Sequence, residues 1–242
     1  MNEFPTYFYL VMIKAICFDF YNTLATYDPP REQIYVKTSS ELGVKVEEKA
    51  LFKSLAAADI FYRNENIRLP VEQRPPEEKK AFYINYITMI LSGAEAEINP
   101  DTALQIFAKV SSYTWKFKIY EDTLPTLKAL KKQGLTTGLI SNVVQDMDAT
   151  YEELGLQPYL SFKVTSAEAG CDKPQPEIFL AALSKARVKA EEAIHVGDQY
   201  ELDIVGAQGV GMTGVLLDRN NHFPEITNCP RIRSLTEILE YI

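Results

Sequence analysis

Only three cysteines occur among 242 residues, Cys17, Cys171 and Cys229, and they are widely spaced with no CxxC pair. That pattern supports neither a disulfide framework nor a zinc site, and it points to a reducing, cytoplasmic setting. Long apolar runs are also scarce. The opening MNEFPTYFYLVM is aromatic and apolar, but it lacks a basic leader and a small-residue cleavage site, and Lys14 interrupts it well short of a membrane-spanning length. No export signal or anchor is expected there, and residues 1–12 read as a peripheral strand, a tag remnant or an upstream start. Positive charge is in deficit as well: 25 Lys and Arg against 33 Asp and Glu leave a formal charge of -8. A broad electrostatic attraction to nucleic acid or an anionic membrane is therefore not expected, whereas a local basic pocket for a small anion remains open. Of the two histidines, His195 falls inside an apolar strand pattern and reads as a core residue, and His222 falls in a polar loop.

What is present is material for a sizeable core, because 46% of the residues are apolar and the length allows one large domain or two modest ones. Downstream of Tyr120, short apolar runs alternate with helical periods. Leu124, Leu127 and Leu130 form a helix stripe, with Lys128, Lys131 and Lys132 on the wet side and Gly134 as the stop. LTTGLIS then reads as a buried strand. A short helix through Tyr151 to Leu154 follows, then SFKVTS as a strand and PEIFLAALSKA as a helix with proline in its first turn. AIHVG, ELDIVGAQ and TGVLL read as strand, helix and strand. Repeated units of this kind predict an α/β fold, a Rossmann-like doubly wound parallel sheet with its site outside the carboxyl ends of the strands.

Between Asp28 and Trp115 almost nothing reads as a strand. Residues 31–42, 47–64, 76–91 and 100–112 read as helices, the last with Asn99 as N-cap, and RLPVEQRPPEE is a loop. The expected organisation is a discontinuous core, 1–27 with 116–242, and an inserted helical cap domain, 28–115. An insertion of roughly ninety residues is too long for a simple crossover, and as a lid it would exclude water and select substrate.

Four polar groups sit where predicted strands end: Asp19 with Thr23, Ser141 with Asn142, Lys173 in GCDKPQPEIF, and Asp198 with Asp203 in HVGDQYELD. Each alone has a plain structural reading. A strand-closing Asp makes Asx-turns, Ser141 can bond local backbone, Asp203 suits the first turn of a helix, and Lys173 could be a solvated loop cation. In this order and on this topology they resemble the haloacid dehalogenase superfamily. The resemblance covers residues 13–25 and 119–218 by motif and the helical stretch by position only.

The resemblance implies a hydrolase with Asp19 as nucleophile and a covalent aspartyl intermediate, most simply a Mg2+-dependent phosphohydrolase acting on a small phosphorylated metabolite. Crowded carboxylates repel, and a hard dication with oxygen ligands relieves them. Asp19, Asp198, Asp203 and the Tyr21 backbone carbonyl are the expected metal ligands. Lys173 would offset the Asp19 charge, Ser141 and backbone N–H groups near Asn22 would hold the transferring group, Asn142 belongs to the same phosphate-binding set, and Thr23 would orient the nucleophile loop.

The family's phosphatases carry a second Asp two residues after the nucleophile as general acid and base. This chain has Tyr21. A phenol titrates at about 10, so it can donate a proton but is a poor base at neutral pH. The family's 2-haloacid dehalogenases also carry Tyr here, because halide leaves without a proton. They work without metal and lack the acidic GD motif, which is present here as Gly197 and Asp198. Carbon–halogen hydrolysis is the alternative, and a catalytically impaired relic that binds phosphate or a partner is a third reading. Arg31, Tyr35, Tyr62 and Arg63 are candidates to face the cleft, and WKFKIY reads as hinge packing rather than a nucleic-acid surface. The expected partner is a small molecule.

Overall fold

The structure is a computed structural model that describes residues 12–92, 98–143 and 145–242. Residues 1–11, and with them nearly all of the apolar start, lie outside the described residues. The chain divides into two compact units, one of residues up to Thr26 together with Phe117–Ile242 and the other of Tyr27–Lys116.

In chain order the elements are β1 (Ala15–Phe18) and β2 (Ala25–Asp28), then helices α1 (Arg31–Glu41), α2 (Glu48–Arg68), α3 (Pro76–Ser92) and α4 (Pro100–Ser111). There follow β3 (Lys116–Ile119), α5 (Thr123–Lys132), β4 (Thr136–Ser141), α6 (Asp148–Glu153), β5 (Phe162–Thr165), α7 (Ser166–Ala169) and α8 (Pro176–Ala186). The chain closes with β6 (Ala193–Gly197), a π-helical turn over Tyr200–Val205, α9 (Gly206–Gly209), β7 (Thr213–Leu217), β8 (Arg231–Ile232) and a 3-10 segment, Leu235–Tyr241.

Six strands pair in parallel in the order β5-β4-β1-β6-β7-β8. β1 is central because all four of its side chains are apolar and buried, as a strand covered on both faces requires. Alternate residues face opposite layers. Ile16 and Phe18 pack with Leu127, Leu130, Leu235 and Ile238 on one side, while Ala15 and Cys17 pack with Ile178, Phe179 and Ala182 on the other. From β1 the chain order runs outward through β4 on one flank and β6 on the other, which makes the carboxyl end of β1 a topological switch point.

The second unit buries its own core, with Leu51, Leu55, Ile87, Ile90, Leu91, Ala103 and Ile106 at its centre. Asn99 caps α4 as expected, accepting the Thr102 N–H at 2.9 Å, and Pro100 follows at the first turn.

Four elements add to or depart from the sequence reading. KFKI within WKFKIY is a strand, β3, and it pairs with β2 in a separate two-stranded sheet. ELDIVGAQ does not begin as an α-helix: its first turn widens to a π-helix around Asp203. A short strand, β8, and the 3-10 segment extend the sheet and its cover beyond the last predicted strand. The cysteines are free among the described residues, and burial pushes the Cys17 thiol up to about 12. No described helix is long and apolar enough to cross a membrane.

Candidate active site

Asp19 is the residue at which β1 leaves the sheet. Its N–H still donates to the Val196 carbonyl at 2.9 Å, so the last ladder bond fixes where the side chain departs, between the carboxyl ends of β4 and β6. The following turn is tight. Leu24 and Ala25 N–H groups both donate to the Phe20 carbonyl, and Asn22 N–H donates to Ala25 at 2.7 Å. Asn22 takes φ +62°, a left-handed conformation that Asn tolerates better than most residues. Tyr21 is half-buried against the core layer that contains Ile16 and Phe18. Thr23 is buried. Its carbonyl accepts from Arg219 at 2.9 Å, whereas its hydroxyl has no hydrogen-bond partner among the described residues.

Lys173 reaches Asp19 from a loop that Asn142 holds. The Asn142 side chain accepts the Lys173 N–H at 2.7 Å and donates to the Lys173 carbonyl at 3.1 Å. Asn142, expected among the phosphate-binding groups, is thus engaged by the Lys173 backbone. The Lys173 ammonium is 3% exposed and donates to Asp19 Oδ1 at 2.5 Å, Asp203 Oδ1 at 2.6 Å and the Ile140 carbonyl at 3.1 Å. Its three N–H groups are all used. Burial alone would depress this ammonium, but the Asp19 and Asp203 charges override it and hold the group well above the usual lysine range.

Asp203 is the hub behind Lys173. Its Oδ1 also meets His195 Nε2 at 3.0 Å, and its Oδ2 accepts the Gln199 N–H at 3.0 Å. The π-helical turn makes this possible, with the Asp203 N–H donating back to the Gln199 carbonyl at 2.8 Å. Gly197 is equally required: a Cβ there would lie 2.2 Å from Asp203 Cγ. Burial would raise the Asp203 carboxyl, yet Lys173 and His195 hold it well below the carboxylate range. Expected as a metal ligand, Asp203 instead has both oxygens on protein donors.

Asp198 follows β6 and is buried, and its Oδ1 has no hydrogen-bond partner among the described residues. Burial, then the Asp19 and Asp203 charges, push its carboxyl well above the ordinary value. Asp19 itself is raised by burial, against which Lys173 works. Ser141 closes β4 directly after Ile140, whose carbonyl binds Lys173, and is 7% exposed. The structure therefore brings Asp19, Lys173, Asp198 and Asp203 into one electrostatic cluster, with Ser141 at its edge. Among the described residues no group of three or more His, Cys, Asp or Glu side chains is arranged to hold a metal ion.

Three participants escaped the sequence reading. His195 was read as core, which it is, but its ring also binds Asp203. Arg219 ties the Thr23 carbonyl to Asp122, with contacts of 2.7 and 3.0 Å to that carboxylate, and stacks on Tyr120 at 3.9 Å. Tyr151 lies edge-on to Phe20, and its buried hydroxyl has no partner. Burial, then the Asp19 and Asp148 charges, raise that phenol. None of the three carries a local motif. A lone polar residue in an apolar stretch has no signature until its neighbours are known.

The cleft candidates of the helical unit lie on α1 and α2. Arg31 pairs with both oxygens of Asp59, at 2.5 and 3.0 Å, and meets the Tyr86 hydroxyl at 3.2 Å. Tyr35 is buried, Tyr62 packs edge-on to Phe82 and Tyr86, and Arg63 is partly buried on α2.

Comparison with known proteins follows this geometry. A family described as haloacid dehalogenase-like hydrolase matches residues 13–211. The mouse haloacid dehalogenase-like hydrolase domain-containing protein 3 is 30% identical over 213 residues, 86% of this chain and 82% of the mouse protein. The ribulose-1,5-bisphosphate 5-phosphatase of Halopiger xanaduensis is 27% identical, covering 86% of this chain and 85% of its own. Among solved structures, a HAD phosphatase from Thermococcus onnurineus is 25% identical with a TM-score of 0.55, covering 95% of this chain and 97% of its own. A 2-haloacid dehalogenase from Pseudomonas syringae shares the fold at 24% identity and the same TM-score of 0.55, with the same coverage of 95% and 97%. By motif, sheet order and family match, the chain belongs to the haloacid dehalogenase-like hydrolases.

Proposed function

We propose that this protein is a phosphomonoester hydrolase that uses Asp19 as nucleophile and acts on a small phosphorylated metabolite. The observation that carries the reading is the buried chain Asp19–Lys173–Asp203, with Asp198 in electrostatic reach, at the carboxyl edge of a parallel sheet. The phosphatases among the similar proteins support the substrate class.

Lys173 donates to Asp19 Oδ1, which leaves Oδ2 as the attacking oxygen. A bond forms from that oxygen to phosphorus as the ester P–O bond breaks, and the departing oxygen takes a proton. Water then attacks phosphorus as the bond from phosphorus to Asp19 Oδ2 breaks, the proton it loses returns to the group that protonated the leaving oxygen, and phosphate and the free Asp19 carboxylate result. Ser141 and N–H groups flanking Asn22, other than the Asn22, Leu24 and Ala25 N–H groups already bonded within the turn, hold the phosphoryl oxygens, and Tyr21 is the proton donor nearest the nucleophile in the chain.

The donor set fits Mg2+, because Asp198 Oδ1 is buried without a hydrogen bond and the neighbouring ammonium is saturated. Asp19, Asp198 and the Tyr21 carbonyl would hold the ion, which when bound offsets the carboxylate charge and polarises phosphate oxygens. Asp203 is left out of this set because its oxygens are engaged.

Tyr21 favours one other reading, carbon–halogen hydrolysis by the same Asp19. That chemistry needs a cation for the substrate carboxylate, and of the two arginines that could supply it, Arg31 and Arg63, the first is matched by Asp59 within the helical unit. The deciding experiment measures phosphate release from p-nitrophenyl phosphate with and without Mg2+, beside halide release from a 2-haloacid in chelator. Mg2+-dependent phosphate release, lost in Asp19→Asn, is the expected result. Metal-independent halide release would establish the dehalogenase instead, and silence in both assays would leave a binding relic.

A further inference from the structure

We infer that His195 is a positioning residue for the Lys173–Asp19 pair, acting through Asp203. The inference rests on the phosphatase reading only for its kinetic consequence. His195 sits in the middle of β6, fully buried, with its ring edge-on to Phe179 at a centroid distance of 5.3 Å. Buried polar groups are as a rule hydrogen-bonded. Here Nδ1 has no partner among the described residues and the only hydrogen bond runs from Nε2 to Asp203 Oδ1 at 3.0 Å. Burying an unpaired ring nitrogen costs free energy. The strand therefore retains a side chain that is poorly satisfied as packing and well placed as a donor.

Asp203 accepts only, so Nε2 carries the proton. With His195 on Oδ1 and the Gln199 N–H on Oδ2, the carboxylate is fixed at two points, and its remaining partner is the Lys173 ammonium at 2.6 Å. That ammonium has no spare proton. If Asp203 turns, Lys173 loses one of three anchors, and the Asp19 carboxylate it holds through Oδ1 at 2.5 Å no longer aims its other oxygen. Among the described residues His195 makes no hydrogen bond to Asp19 or Lys173, so its hydrogen-bonded route to the pair runs through the Asp203 carboxylate.

The test compares His195→Leu and His195→Asn, which remove the donor at the Nε2 position, with His195→Gln, whose amide nitrogen restores it. Two readouts are taken on the full chain. One is steady-state hydrolysis of p-nitrophenyl phosphate with Mg2+; the other is the 1H–15N signal of the Lys173 ammonium, visible while its protons are held. Leu and Asn should lower kcat by roughly 10-fold with KM little changed, as outer-shell partners do, and should broaden the ammonium signal. Gln should recover most of both. A structural histidine would instead shift melting temperature alone, and Leu keeping wild-type kcat and signal would overturn the inference. Equal losses in Gln and Leu would also overturn it, since ring packing would then be the cause. Should the wild-type protein hydrolyse no phosphate ester, the phosphatase reading fails and the ammonium signal alone decides the role of His195. If Leu does not fold, the Asn and Gln pair makes the same comparison.

Discussion

Asn142 holds Lys173 by that residue's own backbone, accepting its N–H at 2.7 Å and donating to its carbonyl at 3.1 Å. One amide side chain thus fixes both polar atoms of the residue whose ammonium bonds Asp19. The pairing needs a group that donates and accepts at once, which neither Asp nor Leu provides. Asn142→Leu should lower kcat by roughly 10- to 100-fold, the range for groups that orient a site from behind. Asn142→Asp keeps the acceptor and should fall between. Kinetics on an aryl phosphate, with melting curves to correct for unfolded protein, would check this, and a fully active Leu variant would refute it.

Gly197 offers a sharper steric test. It closes β6, and an added methyl would lie 2.2 Å from Asp203 Cγ, with Asp203 Cβ only 2.6 Å away. These atoms belong to a short side chain held at both oxygens, so they cannot swing clear. Gly197→Ala should displace the carboxylate, lower turnover and destabilise the fold by about 1–3 kcal/mol, as overpacking does. A crystal structure of the variant with Asp203 unmoved would contradict the account.

The sheet was legible because β1, β4, β6 and β7 are short apolar runs separated by helical periods, and the helical unit because prolines stand at the starts of α1, α3 and α4 and Asn99 caps the last, while α2 begins with neither signal. KFKI, expected as hinge packing with no element assigned, alternates as a strand does: Lys116 and Lys118 are exposed, Phe117 and Ile119 half-buried. The candidate site was legible as a set of strand-end positions. Its wiring was not, since the expected phosphate ligand Asn142 and the expected metal ligand Asp203 are both held by protein partners distant in sequence. The π-helical turn that accompanies that wiring leaves no trace in the apolar spacing.

Asp122 provides the pH test, away from the site. Its carboxylate takes two bonds from Arg219, one from the Ser234 hydroxyl at 2.8 Å and one from the Leu235 N–H at 2.9 Å. Partial burial would raise its pKa, but Arg219 and these hydrogen bonds hold it below the usual value. A depressed folded pKa contributes stability that is complete above the unfolded value near 3.9 and is lost as pH falls through the folded one. Asp122→Asn should cost roughly 1.5–3 kcal/mol at pH 7, the range for hydrogen bonds to a charged group. The gap should close below the ordinary carboxylate range. Denaturant curves at several pH values would show it, and a gap independent of pH would not fit.

Asp198 presents the opposite case, a buried carboxyl with one oxygen unpartnered. An uncompensated buried charge destabilises a fold. At pH 8 without divalent ions, Asp198→Asn should melt above the wild type. Adding Mg2+ should raise the wild-type melting temperature through binding to the folded state and leave the variant unmoved. Equal Mg2+ shifts in both proteins would remove Asp198 from the proposed ion site.

Tyr21 stands where the family resemblance leads one to expect a second Asp, and under the proposed mechanism it would set how hard the leaving group is to expel. An alkoxide needs a proton as it departs, whereas an activated aryl oxide needs little help. General acid–base catalysis by a well-placed carboxyl contributes roughly 10²- to 10⁴-fold. Tyr21→Asp should therefore raise kcat/KM on alkyl phosphates far more than on p-nitrophenyl phosphate, and narrow the ratio between them. The side chain is half-buried against the core layer of Ile16 and Phe18, so part of the gain will be offset by lost packing. Parallel measurement of stability and of both substrates separates the two effects. A folded, Mg2+-binding variant whose substrate ratio equals that of the wild type would show that position 21 takes no part in protonating the leaving oxygen.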